Sequence, residues 1–223
     1  MVGTENAGEE FIFIRGEAPS FYNDTENIVL VPLNSGTTYS VNGGASIPIA
    51  GAYAVIEGEF YNSDGNMHVT TSGLVMAYQG IGGLSPNPLN YEPNQGMFVV
   101  PALSCNSKGG INNIPYINRI GNNSHNGGIG IVAEKGVDVL LNGTILTNPQ
   151  TTYSPDYVTY RISGLNQTLY EVNSTGALYV SYYTYSNYAT SGGFYSGFQS
   201  APEFSFDLDL IALGACIQND LVL

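Results

Sequence analysis

GVDVLLNGT at residues 136–144 and GTTYSVNGG at residues 36–44 lie one hundred positions apart and share one layout. Each opens on Gly, runs through residues of strand character and closes on Asn-Gly. Asn-Gly beside an alternating apolar run is the strongest local hairpin signal, because a type I′ turn needs positive φ at both central residues. Two copies at a fixed offset predict one β unit used twice.

Outward from these stretches the agreement continues. NIVLVPLNSGTTYSVNG (27–43) aligns without a gap on GGIGIVAEKGVDVLLNG (127–143). Val29, Val31, Tyr39 and Val41 then match Ile129, Ile131, Val139 and Leu141 as inward-pointing residues. AYAVIEG (52–58) follows against DYVTYRI (156–162), and SGLVMAY (72–78) against TGALYVSY (175–182) with one inserted residue. Elsewhere short apolar or alternating runs are separated by Gly, Asn, Pro and Ser, and helical periodicity is nearly absent. The expected fold is all-β: two related antiparallel β-sandwich lobes of jelly-roll or Ig-like kind, arising from internal duplication. The expected boundaries are a first lobe over 1–90, an irregular connection over 91–124 and a second lobe over 125–223, with the lobes packed as one unit. Within the connection, 111–120 reads as a short helix or as a strand covering an open sheet edge.

Apolar residues make up 43% of the 223 positions, enough for a core, and charged residues only 10%. The net charge of −13 rests on just five cations, Arg15, Lys108, Arg119, Lys135 and Arg161. Such a surface repels phosphate backbones and anionic membranes, so nucleic acid is not an expected partner. No run approaches the roughly 18 apolar residues of a membrane span, so membrane insertion is not expected. Neutral Asn, Ser, Thr, Gly and Tyr supply the polarity, which points to an extracellular setting. The acidic surface suits Ca²⁺, or serves solubility alone. The N-terminus lacks the basic and apolar regions of a signal peptide, and the C-terminal IQNDLVL still alternates like a strand. Both ends read as cut from a longer chain. Cys105 and Cys216 either join each other or leave Cys216 to a segment elsewhere; their bridge would close a loop of about 110 residues, stabilising by roughly 4–5 kcal/mol.

Candidate ligand residues fall in two places. NSDGN sets Asn62, Asp64 and Asn66 at alternate positions around a Gly turn, like a fragment of a Ca²⁺ loop, although the same residues also compose hairpin turns. ALYVSYYTYSNYATSGGFYSGF (177–198) carries Tyr183, Tyr185, Tyr188, Phe194 and Tyr195, whose flat rings suit sugar stacking or peptide contact. Tyr179, Tyr183 and Tyr185 share one strand face and Tyr182 the other, so some rings also read as core or cross-strand pairs. Catalytic signals are poor. His68 reads as a hydrogen-bonded sheet residue and His125 as a solvated loop residue. Glu57 with Glu59, and Asp207 with Asp209, alternate along strands about 6.5–7 Å apart and read as solvated faces. No nucleophile or zinc motif is present, and no catalytic residue is expected.

LVMAYQG (74–80), MFVVPALSC (97–105), NNIPYINRIG (112–121), YVTYRISG (157–164) and FDLDLIALGACIQNDLVL (206–223) together carry a family likeness. The chain resembles the IgGFc-binding-protein N-terminal type domain, in the form found in large cell-surface, gliding-associated proteins of Bacteroidota. The resemblance implies a secreted adhesin module that recognises a surface glycan or a protein without catalysis, flanked by neighbouring domains of the same parent chain. A structural spacer of a surface filament or stalk is the alternative expectation, and a carbohydrate-active enzyme with an acidic cleft the third.

Overall fold

A computed structural model describes residues 6–16, 26–81, 96–104, 110–185, 190–194 and 196 of the chain. Apart from a 3₁₀ turn at Gly58–Phe60, the regular structure among them is antiparallel β. The first half contributes β1 (Gly8–Ile14), β2 (Ile28–Pro32), β3 (Thr38–Val41), β4 (Ile47–Pro48), β5 (Ala54–Ile56), β6 (Asn66–Ile81) and β7 (Gly96–Val100). The second contributes β8 (Gly110–Pro115), β9 (Arg119–Ile120), β10 (Asn123–Ser124), β11 (Asn126–Glu134), β12 (Val139–Leu141), β13 (Thr144–Ile145), β14 (Gln150–Thr151), β15 (Tyr157–Leu165), β16 (Leu169–Ser174), β17 (Leu178–Tyr185) and β18 (Thr190–Phe194).

Strand β6, 16 residues long, organises the first sheet. Its first part pairs with β1 and β3, its second with β2 and β7. Both parts turn odd-numbered residues, Met67, Val69, Val75 and Ala77, into one core with Phe11, Phe13, Ile28 and Leu30. In the second half, the sheet β14-β15-β11-β17-β18 faces the sheet β13-β12-β16-β8. Ile129, Ile131, Val158, Leu178 and Val180 of one meet Ile114, Val139, Tyr170 and Val172 of the other.

The two halves share their pairing register. Phe11↔Val69 and Phe13↔Met67 recur as Ile111↔Val172 and Ile114↔Tyr170. Val41↔Val69 recurs as Leu141↔Val172. Leu30↔Ala77 recurs as Ile131↔Val180, Ile28↔Ile56 as Ile129↔Ile162, and Tyr78↔Val99 as Ser181↔Phe194. Each pairing on β6 shifts by 103 residues, because β6 is matched by β16 and β17 in succession. The Asn-Gly turns repeat down to single bonds. Asn42 Oδ1 accepts from His68 N and Asn42 N donates to His68 O; Asn142 does the same with Glu171. All four turn residues have positive φ, 52° and 72° at Asn42-Gly43, 50° and 75° at Asn142-Gly143.

Two sequence expectations are corrected here. Ile28 and Leu30, not Val29 and Val31, point into the first core and match Ile129 and Ile131. The β2-to-β3 connection is one residue longer than its counterpart, and a single-residue slip turns a strand over. The segment 91–124 is also less irregular than its composition implies: β7 joins the first sheet and β8 forms an edge of the second half. A register shift at the Asn112-Asn113 pair breaks the alternation that would have marked β8 as a strand.

Strand β1 is packed on both faces. Phe11 and Phe13 belong to the first core, whereas Ile12 and Ile14 lie against Val132 of β11 and Ala177 and Tyr179 beside and on β17. Room for this contact comes from small residues. A Cβ on Gly130 would sit 3.2 Å from Ile14 Cδ1 and 2.7 Å from Ser181 Oγ, and one on Gly192 would sit 2.1 Å from Ile81 Cδ1. Replacing Asn42 or Asn142 with Ala removes a residue tolerant of positive φ and leaves the facing strand N–H unpaired. Each change is expected to lower the unfolding free energy by about 1–3 kcal/mol in urea titrations. An unmoved midpoint in either variant would show that these turns do not hold the hairpins.

Candidate functional site

The tyrosine-rich strand lies mostly between the lobes. Tyr183, expected to bind ligand, is 4% exposed, with its ring over Gly128: a Cβ there would meet Tyr183 Cζ at 2.1 Å. Phe194 packs on Phe98 with ring centroids 5.6 Å apart, and Tyr185 ends β17 half-buried. Tyr182 points into the second core, as the alternation implied. The sequence could not show that the outer face of β17 is covered by the first lobe. Tyr188, Tyr195, Cys105, Cys216, Asp207 and Asp209 lie outside the described residues.

In NSDGN, Asn62 Oδ1 accepts the N–H groups of Asp64 and Asn66, each at 3.0 Å, and Asn62 Nδ2 donates to Asn66 Oδ1 at 2.8 Å. These oxygens close an Asx-type turn with Gly65 at φ 77°. Asn66 then reaches across, donating to Thr151 O at 3.2 Å and Thr159 Oγ1 at 3.1 Å. Glu57 and Glu59 do not alternate along a strand as expected: Glu57 caps the 3₁₀ turn and Glu59 lies within it, both exposed. His125 is buried, not solvated, and its backbone N–H donates to Asn118 O.

The polar groups that converge do so at the lobe contact. His68 Nε2 donates to Glu10 Oε1 at 2.9 Å, and Ser154 Oγ donates to the same oxygen at 2.9 Å. The His68 hydrogen bond holds the Glu10 carboxyl below its ordinary value, with help from Ser154 and the imidazole charge, against partial burial that raises it. Serine, glutamate and histidine meet here in an order unsuited to nucleophilic catalysis: the hydroxyl points at the carboxylate and not at the imidazole that would take its proton. Nearby, the Arg161 guanidinium donates to Gly16 O, and Glu26 Oε2 accepts Gly16 N–H at 3.0 Å with Arg15 Nε 3.5 Å away. Burial pushes the Tyr61 phenol well up, the Glu26 charge adding to it.

A different surface faces solvent. Val55, Val29, Tyr78 and Val99 are successive cross-strand neighbours on β5, β2, β6 and β7. They occupy the outer face, opposite Ile28, Leu30 and Ala77. Val55 is 46% exposed, Val29, Tyr78 and Val99 are half-buried, and around the row lie Tyr53 at 61% and Met97 at 66%. The matching row of the second half is Arg161, Gly130, Ser181 and Phe194. That row is the one β1 and β7 cover. Sequence reading missed the surface because it turned Val29 and Val31 inward; the unbroken apolar run IVLV was the available signal, since a strand apolar on both sides has two faces to cover.

Among known proteins, no family model and no curated protein matches the chain. One solved structure, described as an anti-sigma factor domain-containing protein, is 9% identical over 82% of this chain and 80% of that one, with a TM-score of 0.21. A likeness that distant carries no argument.

Because folding lowers the affinity of Glu10 for its proton, its contribution to stability is complete above its ordinary value of 4.5 and is lost as pH falls below it. The melting midpoint is therefore expected to fall more steeply from about pH 5 to pH 3 in the wild type than in Glu10→Gln. Parallel curves would remove the Glu10–His68–Ser154 hydrogen bonds from the account of stability. Since Asn62 Oδ1 and Asn66 Oδ1 already accept protein N–H groups, adding Ca²⁺ is expected to leave the midpoint at neutral pH unmoved; a rise would put a cation at that loop or elsewhere on the chain.

Proposed function

We propose that the chain is a non-enzymatic adhesion or ligand-binding module of a larger cell-surface protein, and that its partner docks on the outer face of β5, β2, β6 and β7. The row Val55–Val29–Tyr78–Val99 carries this reading. Aligned apolar side chains on a solvent-facing sheet mark contact surfaces, and the equivalent row of the second half is itself covered by protein. The chemistry favours a protein over a glycan. Sugar sites pair aromatic planes with directed polar groups, whereas this face is aliphatic with Tyr78 and Tyr53 at intervals. The shared register supports an origin by internal duplication. The resemblance to the IgGFc-binding type domain and the charge-poor composition support a surface location.

A spacer role has support of its own in β1, whose burial on both faces makes the two lobes a stiff unit. The readings separate in a screen of surface glycans and proteins against the full chain. Binding is expected to a protein, and Val55→Asp is expected to weaken it by at least about tenfold, roughly 1.4 kcal/mol. Tyr153→Ala, an exposed change on the other half, is expected to leave it intact. Saturable binding indifferent to Val55→Asp would move the site elsewhere, and polysaccharide turnover abolished by one carboxylate change would make the protein an enzyme.

A further inference from the structure

The lobe contact is heterologous: the first lobe offers β1 and the start of β6, and the second receives them on the outer face of β15, β11, β17 and β18. Each lobe has the other's counterpart. The strand matching β1 is β8, and the pair Ile14↔Asn66 has its equivalent in Pro115↔Leu169. The residue after each strand end also corresponds, since Arg15 N donates to Gly65 O and Tyr116 N donates to Thr168 O. The receiving row Arg161–Gly130–Ser181–Phe194 has its equivalent in Val55–Val29–Tyr78–Val99. Among the described residues, one offering face and one receiving face are used within the chain, and one of each is left over.

Among the described residues, both remaining faces carry exposed apolar side chains, Val55 and Met97 on the first lobe beside half-buried Val29, Tyr78 and Val99, and Tyr116 and Leu169 on the second beside exposed Glu171. On the second lobe, Tyr116 is 56% and Leu169 48% exposed, and Pro115 beside them is exposed. Tyr116 has φ 54°, a left-handed conformation that the other non-Gly cases among the described residues leave to Asn42, Asn142 and Asn148. A bulky residue in that region is a local strain of the kind that collects at functional surfaces. The sizes are also exchanged. Where the intramolecular contact sets Ile14 against Gly130, the free faces would set Pro115 against Val29, so the larger side chain moves from the offering to the receiving side at similar total volume.

We infer that a second copy of this chain is the occupant: the face around Pro115, Tyr116 and Leu169 of one molecule docks on the Val55–Val29–Tyr78–Val99 face of the next, repeating the lobe contact between chains. This deepens the proposed function and rests on its reading of that sheet face as an interaction surface. A heterologous contact that does not close on itself builds open, head-to-tail chains and not a two-fold dimer. With a net charge of −13 on each copy, long-range repulsion opposes the assembly, and added salt promotes it.

Sedimentation of the full chain at rising concentration, up to about 1 mM and at low and high salt, tests this. The wild type is expected to form a growing series of oligomers, more so in high salt. Val55→Asp and Leu169→Asp are each expected to be monomeric, with melting midpoints near the wild type; Met97→Asp serves on the receiving face if Val55→Asp does not fold. Mixing the two single variants distinguishes the geometry, because one retains the offering face and the other the receiving face. The mixture is expected to give a 1:1 dimer that grows no further. A wild type that stays monomeric throughout overturns the inference while leaving binding to a different protein to the screen above. A closed two-fold dimer, or one lost only in Val55→Asp, overturns it as well.

Discussion

Strand β1 is the element on which the rest depends. In EFIFI the side chains alternate between two cores, Phe11 and Phe13 into one and Ile12 and Ile14 into the other, so no face of the strand is left for water. Fully burying an isoleucine is worth about 1.5–3 kcal/mol. Two of them, at about 3–6 kcal/mol, come to the lower end of a whole domain's net stability of about 5–15 kcal/mol. The lobes therefore cannot part without exposing apolar surface of that order, and the second lobe is in effect the other half of the first sheet's packing.

Apolar contact alone would hold the lobes together without fixing how they sit. Directional bonds do that. Asn66 is completely buried, and its amide donates to both Thr151 O and Thr159 Oγ1 across the contact. A slide of one residue would strand those groups, at about 1–3 kcal/mol for each left unpaired. The Glu10–His68–Ser154 group stands at the wetter rim, where Glu10 is 38% exposed and its bonds are weakened by solvent. Register thus comes mainly from the buried amide, with the carboxylate adding a dependence on pH.

The class of fold was legible because hairpin chemistry is local. Asn-Gly requires two positive φ values, and both copies adopt them with the same facing bonds. Facing was harder to read. In IVLVP every position is apolar, so the alternation that assigns inside and outside carries no information, and one extra loop residue was enough to turn Val29 and Val31 the wrong way. The tyrosine run failed for another reason. Its outer face looks like a binding surface in isolation and is in fact a protein contact, made by a strand about 165 residues earlier in the chain. No pattern confined to one strand records what packs on it.

The outer rows also explain why the two halves are not interchangeable despite their shared register. Ile14 sits where a Cβ on Gly130 would fall 3.2 Å from its Cδ1. The same isoleucine brought to the first lobe's row would meet Val29, whose side chain already fills that space. Cores and close contacts tolerate exchanged volume and resist added volume, so β1 fits the glycine row and is rejected by the valine row. The small residues thus make the intramolecular contact selective. In the proposed contact between copies, the valine row would instead meet Pro115, the smaller residue at the position on β8 that matches Ile14 on β1.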